Sequence, residues 1–148
     1  MVKADRNLFT AAIILGLGKA GAIDGILFHQ LIQWHHMIDS PDIEFEILTD
    51  GLFTAAFSAL LVWGGINIFK HARKNELGSS FRLFLSGILI GAGTFNLVEG
   101  IIDHHILQVH RVRPLAEYPL VYDIAFLLIG LKLVLIGLKI KPKQNKQA

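Results

Sequence analysis

Long uncharged and mostly apolar runs, separated by short charged segments, dominate the pattern along the chain. The clearest run covers residues 51–69 between Asp50 and Lys70, and a second covers residues 83–98 and ends at Glu99. An α-helix needs roughly 20 such residues to cross the hydrocarbon of a bilayer. Each of these runs therefore predicts one membrane-spanning helix, the second with a carboxylate near one interface.

Two further apolar runs contain charged residues. Residues 8–28 include Lys19 and Asp24, and residues 121–138 include Lys132. Both runs are long enough to span a bilayer, and the first is too long for the core of a signal peptide, so we expect it to be retained. The pattern thus predicts an all-α integral membrane protein, a four-helix bundle that forms a single transmembrane domain over all 148 residues.

The polar positions of the first half recur in the second half. Residues 22–35 align without gaps on residues 97–110, and the alignment keeps a carboxylate, a glycine, two histidines and a glutamine in place. After a loop of slightly different length, residues 47–53 match residues 120–126. Each copy is then a hairpin of two spans, which makes the copies parallel and relates them by an axis along the membrane normal. We predict two parallel helical-hairpin repeats, at about 8–70 and 83–140.

The basic residues predict the orientation of these helices. Lys and Arg near helix ends stay on the cytoplasmic side of a membrane. Most of them lie on the side that holds both chain ends, whereas only Arg111 and Arg113 lie on the other side. We therefore expect cytoplasmic termini, with the loops after the first and third helices facing outward.

Composition narrows the possible chemistry. The chain is 53% hydrophobic and 18% charged, with a net charge of +2, which does not suggest a nucleic-acid partner. It has no cysteine, so a metal would be held by its seven histidines and its carboxylates. No motif typical of serine hydrolases, nucleotide-binding loops or dinucleotide-binding folds is present.

The repeated carboxylates and histidines lie at matching depths in the predicted spans. At 1.5 Å per residue, Asp24 and Glu99 sit about 24 Å above the start of their helices, and His29 and His104 about 31 Å. We expect Asp24 to face Glu99 and His29 to face His104 near the outer surface, as in metal sites built from facing helices. The first candidates for ligands are Asp24, His29, His35, Glu99, His104 and His110, with His36, Asp103 and His105 in reserve.

The spacing of the histidines limits how they can meet. His29 and His35 would lie about 120° apart around a straight helix and about 9 Å apart along it. Convergence therefore needs two helices, or unwinding where the helix leaves the membrane. Solvation at the interface accounts for any single histidine about as well, but not easily for the repetition. Asp50 and Asp123 are predicted to cap the second and fourth helices, and they could also orient a ligand histidine.

Several chemistries suit these residues. They match a dinuclear iron or copper site bridged by carboxylates, and equally a b-type haem with His29 and His104 as axial ligands. A redox or metal-handling role linked to respiration is favoured. The alternatives are a zinc-dependent membrane hydrolase and a structural or assembly subunit without metal. Whether the protein is an enzyme stays open, and its small residues would also allow a homo-oligomer.

Two motifs carry a resemblance to a known family. They are Asp24-Gly25-Ile26-Leu27-Phe28-His29-Gln30 through Trp34-His35-His36-Met37, and Glu99-Gly100-Ile101-Ile102-Asp103-His104-His105 through His110-Arg111-Val112. The chain resembles the bacterial membrane family labelled domain of unknown function 2243, which implies four spans in the bacterial cytoplasmic membrane. Some members look like neighbours of cytochrome oxidase assembly genes, which implies a respiratory oxidase or its assembly factors as partners. Arg111 replaces what looks like a second histidine of the closing motif.

Overall fold

The chain folds into four long helices, and a computed structural model describes residues 1–143 of it. Two of the helices continue directly into a π-helical segment, in which the hydrogen bonds join residues five apart instead of four. The elements are α1 (Lys3–Ile23), the first π-segment (Asp24–Leu31), α2 (Ile43–Arg73), α3 (Phe81–Ile101), the second π-segment (Ile102–Ile106) and α4 (Pro119–Ile140). All four helices are long and apolar enough to cross a membrane, which confirms the predicted all-α class with four spans.

The helices pack in the order α2, α1, α3, α4. The first helices of the two repeats, α1 and α3, contact each other at the centre, whereas α2 packs on α1 and α4 packs on α3. Burial follows this order, since 44% of the apolar stretch of α1 is buried but only 11% of that of α2. The outer helices therefore expose broad apolar surfaces of the kind that contact lipid.

Glycines allow the two central helices to approach closely. A Cβ atom at Gly16 of α1 would overlap the carbonyl group of Ile88, and one at Gly91 of α3 would overlap that of Ile13. Small residues at helix crossings bring backbones together in this way. The close contact of α1 and α3 brings the carboxyl ends of both helices, and the π-segments that follow them, to the middle of the molecule.

The predicted starts of the second and fourth helices are wrong by several residues. Asp42 caps α2, because its side chain accepts hydrogen bonds from the backbone of Glu44 and Phe45. Asp50 consequently lies inside α2, and Asp123 lies inside α4, which begins at Pro119. Neither aspartate caps a helix, so both carboxylates are available for other contacts.

Candidate metal centre

The first π-segment brings a carboxylate next to a histidine. Asp24 and His29 are five residues apart, which would set them about 140° apart around an α-helix. In the wider π-helix, residues five apart stack on one face. Asp24 Oδ2 accordingly lies 3.0 Å from His29 Nε2. Glu99 and His104 have the same spacing in the second repeat, although Glu99 lies in α3, before the second π-segment.

In each repeat, a residue in the left-handed backbone conformation then turns the chain back toward the π-segment. Gln33 has φ 47° and Gln108 has φ 52°. After the first turn, the ring of His35 lies 4.7 Å from that of His29. After the second, the rings of His104 and His110 lie 4.6 Å apart and their Nε2 atoms 2.9 Å apart. Unwinding at the helix end, one of the two routes expected from the spacing, thus brings the paired histidines together.

The two repeats meet through the second histidine of each. The rings of His35 and His110 stack at 5.2 Å between centroids and only 4° between planes. His29, which we expected to face His104, contacts the ring of His110 at 6.4 Å instead. That pairing was wrong because the left-handed turns carry His35 and His110 back to the axis between the repeats.

Six buried side chains form two groups that share one carboxylate. Asp24, His29, His35 and Glu99 each offer one ligand atom, and these atoms all lie within 4.8 Å of one another. Glu99 forms a second such group with His104 and His110. All six residues are at most 5% exposed. The structure therefore brings together the six first candidates from the sequence, including Asp24 and Glu99, which were expected to meet.

These side chains have an unusual surplus of unsatisfied polar atoms. Within residues 1–143, nine buried side-chain nitrogen and oxygen atoms lack a hydrogen-bond partner. All nine belong to the six residues of the two groups: Asp24, His29, His35, Glu99, His104 and His110. Folded proteins satisfy the large majority of their buried polar atoms, so such a concentration calls for an explanation.

Asp50 contacts the first group at the Nδ1 atom of His29. Its Oδ1 lies 3.3 Å from His29 Nδ1 and accepts a hydrogen bond of 2.7 Å from the backbone of Met37. Its Oδ2 lies 2.7 Å from Nδ1 of His36. A carboxylate at Nδ1 fixes the ring so that Nε2 points to the centre, which is the orienting role considered for Asp50 in the sequence.

Asp123 repeats this arrangement in the second group. Its Oδ1 lies 3.9 Å from His104 Nδ1 and accepts a hydrogen bond from the backbone of Val112. Its Oδ2 accepts one of 2.7 Å from Arg111. Arg111 thus occupies the place that His36 has in the first repeat, and both bind the aspartate behind the ligand histidine. Residue 111 is therefore not positioned to supply a ligand.

The three reserve candidates lie around the two groups and not in them. His36 bonds to Asp50 and lies 3.7 Å from Glu46, while Asp103 is only half-buried. His105 donates a hydrogen bond of 2.6 Å to the carbonyl oxygen of Gly100. These contacts use both ring nitrogens of His36 and the Nδ1 atom of His105.

Electrostatic surroundings differ between His110 and His36. Burial, together with the neighbouring imidazole of His104, lowers the pKa of His110 to about 3. His110 is therefore neutral at neutral pH, as a metal-ligating imidazole must be. Although burial lowers it, the hydrogen bond to Asp50 and the nearby carboxylates raise the pKa of His36 above its ordinary value.

The fold and the centre define a class: a four-helix membrane protein with a buried cluster of histidines and carboxylates at the carboxyl ends of its central helices. Residues 11–144 match the family of domain of unknown function 2243 (DUF2243), whose description is "Predicted membrane protein". The chain belongs to this family, and the resemblance seen in the sequence is confirmed. No curated protein and no solved structure matches the chain.

Proposed function

We propose that the protein is a membrane metalloprotein that holds two transition-metal ions in this centre. The observation that carries the proposal is the set of nine buried nitrogen and oxygen atoms that make no hydrogen bond, on six converging side chains. Each such atom would destabilise the fold by about 1–3 kcal/mol if it stayed unsatisfied. Metal ions satisfy carboxylate oxygens and one nitrogen of each imidazole directly, so they account for most of this set.

The two groups suggest how the ligands divide. One ion would be held by Asp24, His29 and His35 with the shared Glu99. The second would be held by His104 and His110 with Glu99, which leaves it a position for another ligand. Two imidazoles and a carboxylate suit iron, copper or zinc. Carboxylate-bridged pairs of ions also occur in the core of other helix bundles, where carboxylates outnumber the histidines.

The geometry favours ions over a haem. A haem with His29 and His104 as axial ligands would need a flat space between the two imidazoles. The surrounding space is instead occupied by imidazoles in mutual contact, with His35 at 4.7 Å from His29 and at 5.2 Å from His110 between ring centroids. Separate ions fit between such rings without displacing them.

The favoured role is redox chemistry or metal handling linked to respiration, in the bacterial cytoplasmic membrane with both termini in the cytoplasm. Buried imidazole and carboxylate ligands support it, and a respiratory oxidase or its assembly factors would be the partner. A zinc-dependent membrane hydrolase is the second candidate. The group of Glu99, His104 and His110 supports it, because three protein ligands and one open position are typical of catalytic zinc.

Metal analysis of the purified full-length protein tests the proposal. We expect two ions of iron, copper or zinc per chain by elemental analysis, and no haem Soret band. His35→Gln should retain one ion, whereas Glu99→Gln should weaken both. The matched control is His71→Gln, since His71 lies at the other end of α2 against Asn7. Failure to retain any metal, even after reconstitution with each of the three, would overturn the proposal and favour the structural subunit.

A further inference from the structure

A cavity of about 300 Å³ lies beside the centre, between α1, α2 and α3. Its wall is formed largely by three phenylalanines in mutual contact. The rings of Phe53 and Phe57 lie 4.7 Å apart, those of Phe57 and Phe95 5.0 Å, and those of Phe53 and Phe95 6.1 Å. An apolar cavity of roughly 150 Å³ already holds a benzene ring. This cavity therefore has room for a substituted aromatic ring.

Two carboxyl groups line the cavity, those of the buried Glu99 and the half-buried Asp103. The side chain of Glu99 is 3% exposed, and both of its oxygens lack a hydrogen-bond partner. An ionised carboxylate offers about four lone-pair sites, so it can bind a metal and still accept a hydrogen bond. A ligand in this cavity would thus meet a buried acceptor, Glu99, within a largely apolar lining.

The mouth of the cavity lies on the apolar side of the molecule. Val98 lines it and is 50% exposed, and Thr94 lies one helical turn before it on α3. Both residues belong to a helix that is long and apolar enough to cross the membrane. In a bilayer this mouth faces hydrocarbon, so the ligand reaches it from the lipid phase.

The positions that the repeat relates to this wall lack most of its residues, and only Phe53 has an aromatic counterpart, Phe126. At the positions that match Phe57, Phe95 and Thr94, the chain has Gly130, Ala20 and Lys19. The candidate ligands of the centre recur in both repeats, whereas the aromatic wall occurs on one side only. Packing of the repeats does not require this asymmetry, but a ligand that approaches the centre from one side would.

We propose that the cavity binds a membrane-dissolved aromatic alcohol of the phenol or hydroquinone class. Its ring would lie against Phe53, Phe57 and Phe95, and its hydroxyl would donate a hydrogen bond to Glu99. The role of this molecule as a substrate or partner of the centre rests on the proposed metal function. Its binding, however, can be measured with and without metal.

Equilibrium binding of radiolabelled 4-hexylphenol to the full-length protein in lipid nanodiscs tests the proposal, with empty nanodiscs subtracted. We expect one saturable site per chain, and at least tenfold weaker binding of hexylbenzene, which lacks the hydroxyl. Val98→Trp should fill the mouth and weaken binding at least tenfold. Its control is Ile23→Trp, which changes the matching position of the first repeat, 45% exposed, and should bind as the wild type does.

The outcomes separate the two proposals. Absence of a saturable site, equal binding of hexylbenzene, or unchanged binding by Val98→Trp would each overturn the cavity proposal. If Val98→Trp does not fold, Thr94→Phe fills the same space and replaces it in the comparison. Protein that binds zinc but not 4-hexylphenol would refute only the cavity proposal, and protein that binds 4-hexylphenol but no metal would refute only the metal centre.

Discussion

Gln33 and Gln108 occupy the same position in the two repeats, and both take the left-handed backbone conformation, with φ 47° and 52°. This conformation costs a residue other than glycine about 1–2 kcal/mol. Each glutamine stands two positions before the second histidine of its repeat, at the turn that returns the histidine to the centre. Strain that recurs where ligands converge is typical of functional sites.

Substitutions at Gln33 test the role of this turn. Gln33→Gly should retain the metal and change stability by less than about 1 kcal/mol, because glycine relieves the strain but loses more backbone entropy. Gln33→Val should lose the ion of the first group, since a β-branched residue disfavours positive φ. Both glutamine side chains are exposed, so lost packing would not account for the difference. Metal content and thermal unfolding would be measured together, and equal metal retention by both variants would contradict this interpretation.

The sequence was sufficient to predict the four spans and the residues that converge, because the repeat marks both. It was not sufficient to predict how they converge. The predicted pairing assumed a straight α-helix around His29, and neither the π-segment nor the left-handed conformation of Gln33 has a reliable signal in residue type. The pairing of His29 with His104 was wrong for this reason.

The prediction that Asp50 and Asp123 cap their helices was wrong for a different reason. The apolar run begins at residue 51, but α2 begins eight residues earlier, at Ile43. A helix continues beyond the apolar run wherever polar residues can be solvated and a cap is available, and Asp42 supplies the cap. Asp50 and Asp123 recur at matching positions of the two repeats, and this recurrence is the sequence signal that would have favoured the orienting role over capping.

Asp123→Asn should lower metal affinity about 10- to 100-fold, because carboxylates behind ligand histidines have effects of this size. Asp42→Ala is the matched control. It removes a helix cap at a cost of about 1 kcal/mol, and it should leave metal affinity unchanged. Metal titration and thermal unfolding of both variants separate the two effects. Loss of affinity in Asp42→Ala but not in Asp123→Asn would contradict the orienting role.

Arg111→His tests whether residue 111 belongs to the ligand set. The guanidinium of Arg111 bonds to Asp123, as the imidazole of His36 bonds to Asp50. A histidine at position 111 should therefore bind the same carboxylate and leave the metal content at two ions per chain. Elemental analysis of the variant checks this, and a third ion would show that position 111 can reach the centre.

The absence of cysteine makes the orientation directly measurable by labelling of single cysteines. Leu115 lies in the loop after α3 and is 97% exposed, and Ser79 lies in the exposed loop before it. In intact cells, a membrane-impermeant maleimide should label Leu115→Cys. It should label Ser79→Cys only after the membrane is permeabilised. The reverse pattern would put both termini outside the cytoplasm.

Gly91→Ala tests whether the close contact of α1 and α3 holds the centre together. A methyl group at Gly91 would overlap the backbone of Ile13, and overpacking of this kind costs about 1–3 kcal/mol. Gly65→Ala is the control, since nothing lies within 4 Å of its added methyl. Alanine favours a helix by about 1 kcal/mol over glycine, so Gly65→Ala should unfold at the same temperature or higher.

Metal content distinguishes a local from a global effect of Gly91→Ala. Because α1 and α3 each end in one of the π-segments, separating them should move Asp24 and Glu99 apart and lower the number of ions bound per chain. Circular dichroism during heating and elemental analysis would be done on the same preparations. A Gly91→Ala protein with wild-type stability and two ions would mean that the central helices can separate without disturbing the ligands.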